Sequence, residues 1–307
     1  MPGMTMRSTD FRAIVEPILN QAFDGVYDQR KDEWKGIFTE IDGIPRSYHE
    51  EPVMYNFGAA PELPDGMPIS YQSGGVLFNK RYVYKVYGLA YAMTKVLIED
   101  GDHVRLGSIF AKGLAQALVE TKETKCANEL NRAFTVGYYG GDGAVLCSAS
   151  HPSAPGGSNQ SNLLTTSAAL SQTSLEQMLI QIRSATDANG KKIRLSPEKL
   201  VVAPANLFTA EVLVKSVLRS GTTNNDINPV KSMGLLTSDT AVISRLTSPT
   251  AWFVKTDEKE GLKILMRRRM EKAMEGDFET DSVRYKATER YETGWTNWRA
   301  IYGTPGA

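Results

Sequence analysis

Between Glu51 and Gly75 the chain is dense in turn formers: Pro52, Gly58, Pro61, Pro64-Asp65-Gly66, Pro68, Gly74 and Gly75. Such residues punctuate a fold instead of building regular structure. The run that follows, Val76 to Ile98 (VLFNKRYVYKVYGLAYAMTKVLI), is rich in β-branched and aromatic side chains, which favour extended strands. Together the two stretches predict a long β-hairpin. An arm of ~15 residues at about 3.3 Å each reaches about 50 Å, whereas a compact globule of this chain's length has a radius of gyration of roughly 19 Å. Such an arm overshoots its own body and leaves strand edges and tyrosines without cover. Burial against another copy would satisfy it. Folding back into one ordinary sheet is the alternative, and the pattern alone does not separate the two.

The segments on either side have distinct characters. Residues 1–48 read as an arm with short helical pieces: Phe11, Ile14, Val15 and Ile18 recur at helical spacing, followed by Phe23, Tyr27, Trp34 and Phe38. From Asp102, which can cap a first turn, an amphipathic helix is predicted to about Phe134, with Leu106, Ile109, Phe110, Leu114, Ala117, Leu118, Cys126 and Leu130 as its apolar stripe. Thirty-odd residues at 1.5 Å each give about 48 Å, enough for a structural strut. Gly137, Gly140, Gly141 and Gly143 end it, and Ser148 to Thr173 is a polar loop. A second helix is expected from Ser174 to about Thr186, opening on a Ser174-Leu-Glu-Gln177 capping box. Leu200 to Ala203 reads as a buried strand leading through Pro204 into a helix with Leu207, Phe208, Leu213, Val214, Val217 and Leu218. Further strands are expected at 241–246, 251–255 and 262–266, with one or two more between Ser282 and Tyr302. The architecture is mixed helix and strand.

Composition narrows the function. Hydrophobic residues make up 41% of the chain, enough for a sizeable core. Lys+Arg and Asp+Glu both number 35, so the basic excess typical of a sequence-reading nucleic-acid binder is missing. Neutrality also limits self-repulsion among packed copies. Cys126 and Cys147 match no zinc or redox spacing, which points to a reducing compartment. No signal peptide is read in Met1 to Asn20 and no stretch approaches ~20 apolar residues, so a soluble protein made in a cytoplasm is expected.

Catalytic chemistry is thinly represented. His49, His103 and His151 lie far apart in sequence, none with partners at metal-ligand spacing. There is no G-x-S-x-G elbow, Walker A loop or G-x-G-x-x-G. Gly140-Gly-Asp-Gly143 lacks the Lys of a phosphate loop and reads as a turn. Asp100 and Asp102 suit a helix start better than a catalytic pair. Ser148 and His151 are close, but no acid is seen to orient them. Arg267-Arg-Arg269 is the strongest basic cluster; it suits a solvated edge, a phosphate or a neighbour's acidic rim. No cofactor, metal or catalysis is expected.

Three passages carry a resemblance. Gly141-Asp-Gly-Ala-Val-Leu-Cys-Ser-Ala-Ser-His-Pro152, followed by a Gly/Ser loop and Asn159 to Asn162, resembles a D-G-x-x-L-F-S-x-x-H-P passage of tailed-phage major head proteins, including the Mu-type head subunit. Asp142, Gly143, Leu146, Ser148, His151 and Pro152 are kept, with Cys147 where Phe is usual. Leu195 to Ala205 is similar to the family's P-x-x-L-V-V-P-P strand, and Tyr291 to Tyr302 to its aromatic final strand. In order and spacing the likeness runs from about residue 50 to the C-terminus.

The resemblance implies an α+β Hong Kong 97-type capsid fold. Its parts would be an N-terminal arm (1–48), an E-loop hairpin (49–95), a peripheral domain (96–167 and 273–307, with a spine helix at 102–134) and an axial domain (168–272) whose central sheet is flanked by helices. It implies a virion shell subunit that forms hexamers and pentamers around double-stranded DNA, contacted non-specifically, after assembly in a bacterial cytoplasm. The hairpin would overlap the adjacent subunit, the arm would reach beneath a neighbour, and the axial domain would meet others around the capsomer centre. Phe57, Phe78, Arg81, Tyr82, Tyr84, Trp34 and Arg267, Arg268 and Arg269 are the expected inter-subunit contacts. The arm is too short for a fused scaffolding domain, so a separate scaffolding protein is implied, beside a portal and a decoration protein; no membrane is involved. Some relatives crosslink a hairpin Lys to an Asn; Lys80 and Asn297 are the right types, but many pairs match by chance, and no crosslink is expected. Two rival readings are an encapsulin-type cellular compartment and a two-lobed soluble enzyme with a site in the axial domain.

Overall fold

One long helix organises the chain. In the computed structural model, which describes residues 8–29, 32–43, 45–94, 96–97, 103–219, 226–236, 239–277 and 282–306, α1 (Ser8–Tyr27) packs on α2 (His103–Asn131). Asp100 and Asp102, read as helix-start residues, lie outside the described residues, as do the side chains of Phe11, Ile14 and His103. At 1.5 Å per residue α2 is about 44 Å long, and its two halves serve different cores. Ala111, Leu114, Ala115 and Leu118 pack with Val15, Leu19 and Phe23 of α1. Cys126, Ala127, Leu130 and Ala133 join a larger cluster built on a second sheet. Ile109 and Phe110, expected in the buried stripe, are 53% and 47% exposed.

The expected arm is largely part of the body. Instead of short helical pieces there is one helix, whose Val15, Leu19 and Phe23 recur every four residues and are buried. A 3-10 turn at Trp34–Gly36 leads into β1 (Thr39–Asp42), which pairs parallel with β8 (Leu262–Asp277).

The hairpin is shorter than expected because the run after Gly75 is two strands. β2 (Tyr48–Tyr55) pairs antiparallel with β3 (Gly75–Val83) across an irregular 56–74 tip. The chain then passes through Tyr84 into β4 (Lys85–Thr94), which joins the main sheet beside β9 (Ser282–Trp295). That sheet has the order β1-β8-β9-β4. β8 continues well beyond the expected 262–266, through bulges between Met266 and Arg268 and between Arg268 and Glu271.

The second lobe follows α3 (Gln172–Arg183) with β5 (Pro197–Val202), α4 (Leu207–Lys215), α5 (Pro229–Ser232), β6 (Ala241–Val242) and β7 (Trp252–Thr256). Helix α3 starts earlier than expected. Its capping box is Ser171 with Ser174, because the Ser171 side chain accepts from the Ser174 N–H while the Ser174 hydroxyl accepts from the Ser171 N–H. The lobe's sheet has the order β10-β7-β5-β6, where β10 (Ile301–Thr304) is the last strand. The domain division at 272/273 therefore falls inside β8, and the chain's end completes the second lobe's sheet instead of lying wholly with the peripheral part. No described helix is long and apolar enough to cross a membrane.

Candidate functional site

The hairpin divides into a neck that its own body covers and a tip whose residues are all exposed. In the neck, Tyr82 and Tyr84 are 2% and 4% exposed and pack on Leu265 and Ile41. The Tyr82 hydroxyl lies 2.6 Å from Thr296 Oγ1, and burial pushes its pKa well above the usual range against the pull of that bond. Trp34 is likewise buried, in the cluster shared by α2 and the second lobe. All three side chains are buried within their own subunit, Tyr82 and Tyr84 against Leu265, and Trp34 in the core that α2 shares with the second lobe. Phe78 is half-buried on the Gly140-Gly141 turn. A Cβ on Gly141 would come within 2.9 Å of the Phe78 ring, and one on Gly140 within 2.0 Å of Trp295, so the close approach requires glycine at both positions.

Beneath the neck sits a set of carboxylates and lysines. Lys263 Nζ, itself 1% exposed, donates to Glu51 at 2.6 Å and Glu260 at 2.7 Å. Burial works to raise the Glu51 pKa, but the bonds from Lys263 and Thr296 outweigh it and hold it low. Glu129 of α2 accepts from Thr293 Oγ1 at 3.3 Å. Burial lifts its pKa to about 7, against the lowering effects of Thr293 and Lys80. Farther along α2, Lys122 reaches Glu289 at 2.8 Å and donates to the Tyr27 hydroxyl at 2.6 Å, which fastens α1, α2 and β9 together. Burial alone would depress Lys122; Glu289 and Tyr27 more than offset it and raise it. The sequence signal for this set was available: Lys122, Glu123 and Glu129 interrupt an otherwise apolar helix face.

The Asp142–His151–Asn162 group explains the head-protein passage physically. His151 Nδ1 is 2.6 Å from Asp142 Oδ2, with both side chains fully buried. Its Nε2 is 3.1 Å from Asn162 Oδ1, and the ring stacks on Trp298 at 4.3 Å. Asn162 Nδ2 donates to the carbonyls of Leu146, Trp298 and Ile301, while its Oδ1 also accepts from the Ser148 N–H. The amide orientation is thus fixed, with its oxygen toward His151. An acid does orient His151, contrary to expectation. With both ring nitrogens occupied, the imidazole is a fastener between the exit of α2 and the C-terminal strands, not a base for Ser148. Asp142, His151 and Asn162 stand together in the quoted passage, whereas their link to Trp298 is hidden because Trp298 lies far along the chain.

At the tip every residue from 56 to 74 is exposed, with Phe57 at 58%, Met67 at 62%, Ile69 at 68% and Tyr71 at 98%. Arg81 is exposed at the ribbon edge, its guanidinium 4.0 Å from the Tyr48 ring. The arginine triplet sits at the β8 bulges. Arg268 bonds Glu271 at 2.8 Å and Thr288 at 2.9 Å; Arg269 pairs with Glu40 at 3.1 Å and with Asp42. Arg267 Nη1 is buried without a hydrogen-bond partner among the described residues. Lys80 rests over Tyr82 and Trp295, and the Asn297 side chain caps a 3-10 turn at Arg299. Among the described residues no group of three or more His, Cys, Asp or Glu could hold a metal.

Comparison with known proteins agrees with this geometry. Among solved structures the chain is similar to a virus-like particle from Pyrococcus furiosus (TM-score 0.54, 12% identity, covering 94% of this chain and 98% of that one). It is also similar to the procapsid of bacteriophage JBD30 (0.54, 12%, 97% and 76%) and to the mature capsid of bacteriophage PhiM1 (0.54, 10%, 90% and 87%). At these identities the likeness establishes the fold. No match is found among curated proteins. The sequence model of the phage capsid protein family matches residues 80–304, a span that begins in the hairpin and includes α2, the Asp142–His151–Asn162 fastener and the strands from β4 to β10. The chain belongs to the phage capsid protein family, as a major capsid protein of the Hong Kong 97-type fold.

Proposed function

We propose that this capsid protein assembles through hexamers and pentamers into the icosahedral head of a tailed phage, around double-stranded DNA. The observation that carries the reading is the uncovered tip. A solitary soluble protein rarely leaves so many large apolar side chains together in water. Contacts between two different patches of one chain close into rings by rotation, and rings that share edges close into a shell. Phe57 and Arg81 would meet a sister copy directly, and Arg267 and Arg269 would lie at a subunit edge. Trp34, Tyr82 and Tyr84 would act indirectly, by fixing the angle at which the hairpin leaves the body. The second lobe would turn toward the capsomer centre, where exposed Phe208, Val217, Ile227 and Met233 find partners. A scaffolding protein, a portal and a decoration protein complete the proposed partners, with assembly in the host bacterial cytoplasm. Lys80 and Asn297 are left uncrosslinked in this reading, so a boiled shell should run as monomer on a denaturing gel.

Electron microscopy of the protein produced with its scaffold tests the proposal. Closed particles tens of nanometres across are expected; a monomer at micromolar concentration overturns it. Similarity to the virus-like particle favours one second reading, a cellular compartment. Purified particles holding a cargo protein and no DNA would select that reading.

A further inference from the structure

A strand at the rim of a sheet offers a row of backbone N–H and C=O groups to any chain that comes near. Proteins blunt such rims with short strands, proline, bulges or charge. Most rims of this molecule are blunted. β1 and β10 have four residues each and β6 has two. β2 carries Glu50, Glu51 and Pro52, and β3 carries Lys80 and Arg81. β4 has none of these devices. It is ten residues long (KVYGLAYAMT), with no proline and with Lys85, at one end, as its only charge. Its register against β9 runs unbroken from Lys85 to Thr94, and among the described strands β9 alone pairs with it. Val86, Ala90 and Ala92 on one face and Leu89 on the other are exposed. The shoulder of this edge is apolar too. Tyr91 donates its hydroxyl to the Gly107 carbonyl of α2 at 3.0 Å, and its ring lies 5.7 Å from Phe110. Strand and helix are thus held as one unit, with Leu89 and Phe110 left 52% and 47% exposed.

We infer that β4 pairs antiparallel with β4 of a second copy, across a two-fold axis near Leu89 and Ala90, a contact that rests on the assembly reading above. The strand is complementary to itself. Pairing about its middle sets the uncharged stretch from Val86 to Met93 against the same stretch. It also carries the two Lys85 groups to opposite ends of the joint, roughly 30 Å apart at about 3.4 Å per residue. On the helix side Leu89 and Tyr91 of the two copies meet, and the two Phe110 rings flank them and leave water. On the other side the small Ala90 and Ala92 let the strands approach. About nine backbone hydrogen bonds close the edge. Two four-stranded sheets, each β1-β8-β9-β4, become one of eight strands. Such a contact uses the same patch on both copies and therefore cannot close a ring of five or six. It ties one ring to the next, while contacts between unlike patches close each ring.

Charge placed at the axis tests this in the full chain, produced with its scaffold. Leu89→Lys and Leu89→Glu each bring like charges together across the axis, and each should cut particle yield by about tenfold or more. Leu89 is exposed, so the subunit's unfolding midpoint should stay at the wild-type value. Producing the two variants together should bring the yield back, because unlike charges then meet; a partner of any other sequence gives no such rescue. A single added thiol reads the symmetry, since it can link only where a residue meets its own copy. Leu89→Cys or Ala90→Cys, whichever lies on the axis, should give a dimer band from shells treated with oxidised glutathione. Val86→Cys, roughly 25 Å from its copy, should give none, and the buried Cys126 and Cys147 do not compete. Wild-type yield from both charge variants, no rescue on co-production, a band from Val86→Cys, or no band from either central thiol overturns the pairing. Central thiols shielded from alkylation without a band would also overturn it, in favour of another chain's strand on this edge. If the wild-type chain forms no particles, the assembly reading fails by itself, and the dimer band of the soluble chain decides the pairing.

Discussion

The neck and the tip of the hairpin are built from similar residues and meet opposite fates. Tyr82 is sealed against Leu265 and bonded to Thr296, whereas Tyr71 is 98% exposed. Both are aromatic, both lie in the same excursion of chain, and hydrophobicity does not distinguish them. The difference is what lies beneath. The neck stands at the meeting of β4, β8 and the Gly140-Gly141 turn, where the subunit closes its own core. The tip is exposed along its whole length and is touched by the rest of its subunit at Asn56, whose carbonyl accepts from Asn189 Nδ2. The neck is thus closed by its own subunit, and in the proposed reading the tip is completed by assembly.

The sharpest way to break that contrast is to damage the body. His151→Ala should destabilise the isolated subunit by about 3–5 kcal/mol in chemical unfolding, because Asp142 is left buried without its partner. A loss below about 1 kcal/mol would mean that the fastener is ornamental.

Next in size is a pH effect under the neck. With its folded-state pKa raised to about 7 from the ordinary 4.5, Glu129 binds more protons folded than unfolded between those values. Its contribution is fully present below pH 4.5 and is lost as pH rises through 7. Glu129→Gln keeps an acceptor for Thr293 and should raise stability at about pH 8 by about 2 kcal/mol, and by little at about pH 4. Equal effects at both pH values would contradict the assignment.

Smaller again is Tyr82→Phe, which removes one buried hydroxyl and should cost about 1 kcal/mol. Smallest for the subunit, and most telling, is the tip. Met67→Ser with Tyr71→Ser should change subunit stability by no more than about 0.5 kcal/mol while lowering particle yield.

Much of this was readable from sequence because it depends on local pattern. The α2 stripe, the turn-dense tip and the α3 cap region each announce themselves over a few residues. What depends on pairing did not. Residues 267–277 (RRRMEKAMEGD) are composed largely of helix formers, yet they extend β8 because β9 offers a partner along most of that length; sheet context overrode propensity. The aromatic run after Gly75 could not reveal that Tyr84 breaks it into two strands joining different sheets, so Tyr82 and Tyr84 read as contacts for a neighbour's surface. Of the candidate assembly residues, those in the tip were legible as apolar groups in a turn-rich segment.

The central claim is that folding and assembly are separable along this hairpin, and one variant tests it most directly. Residues 56–74 are replaced by a two-residue Asn-Gly turn joining β2 to β3. Unfolding and electron microscopy are then measured on the same preparation. The predicted result is a subunit with the wild-type unfolding midpoint that forms no closed shells. Closed shells of normal size, or a subunit that no longer unfolds cooperatively, would contradict it.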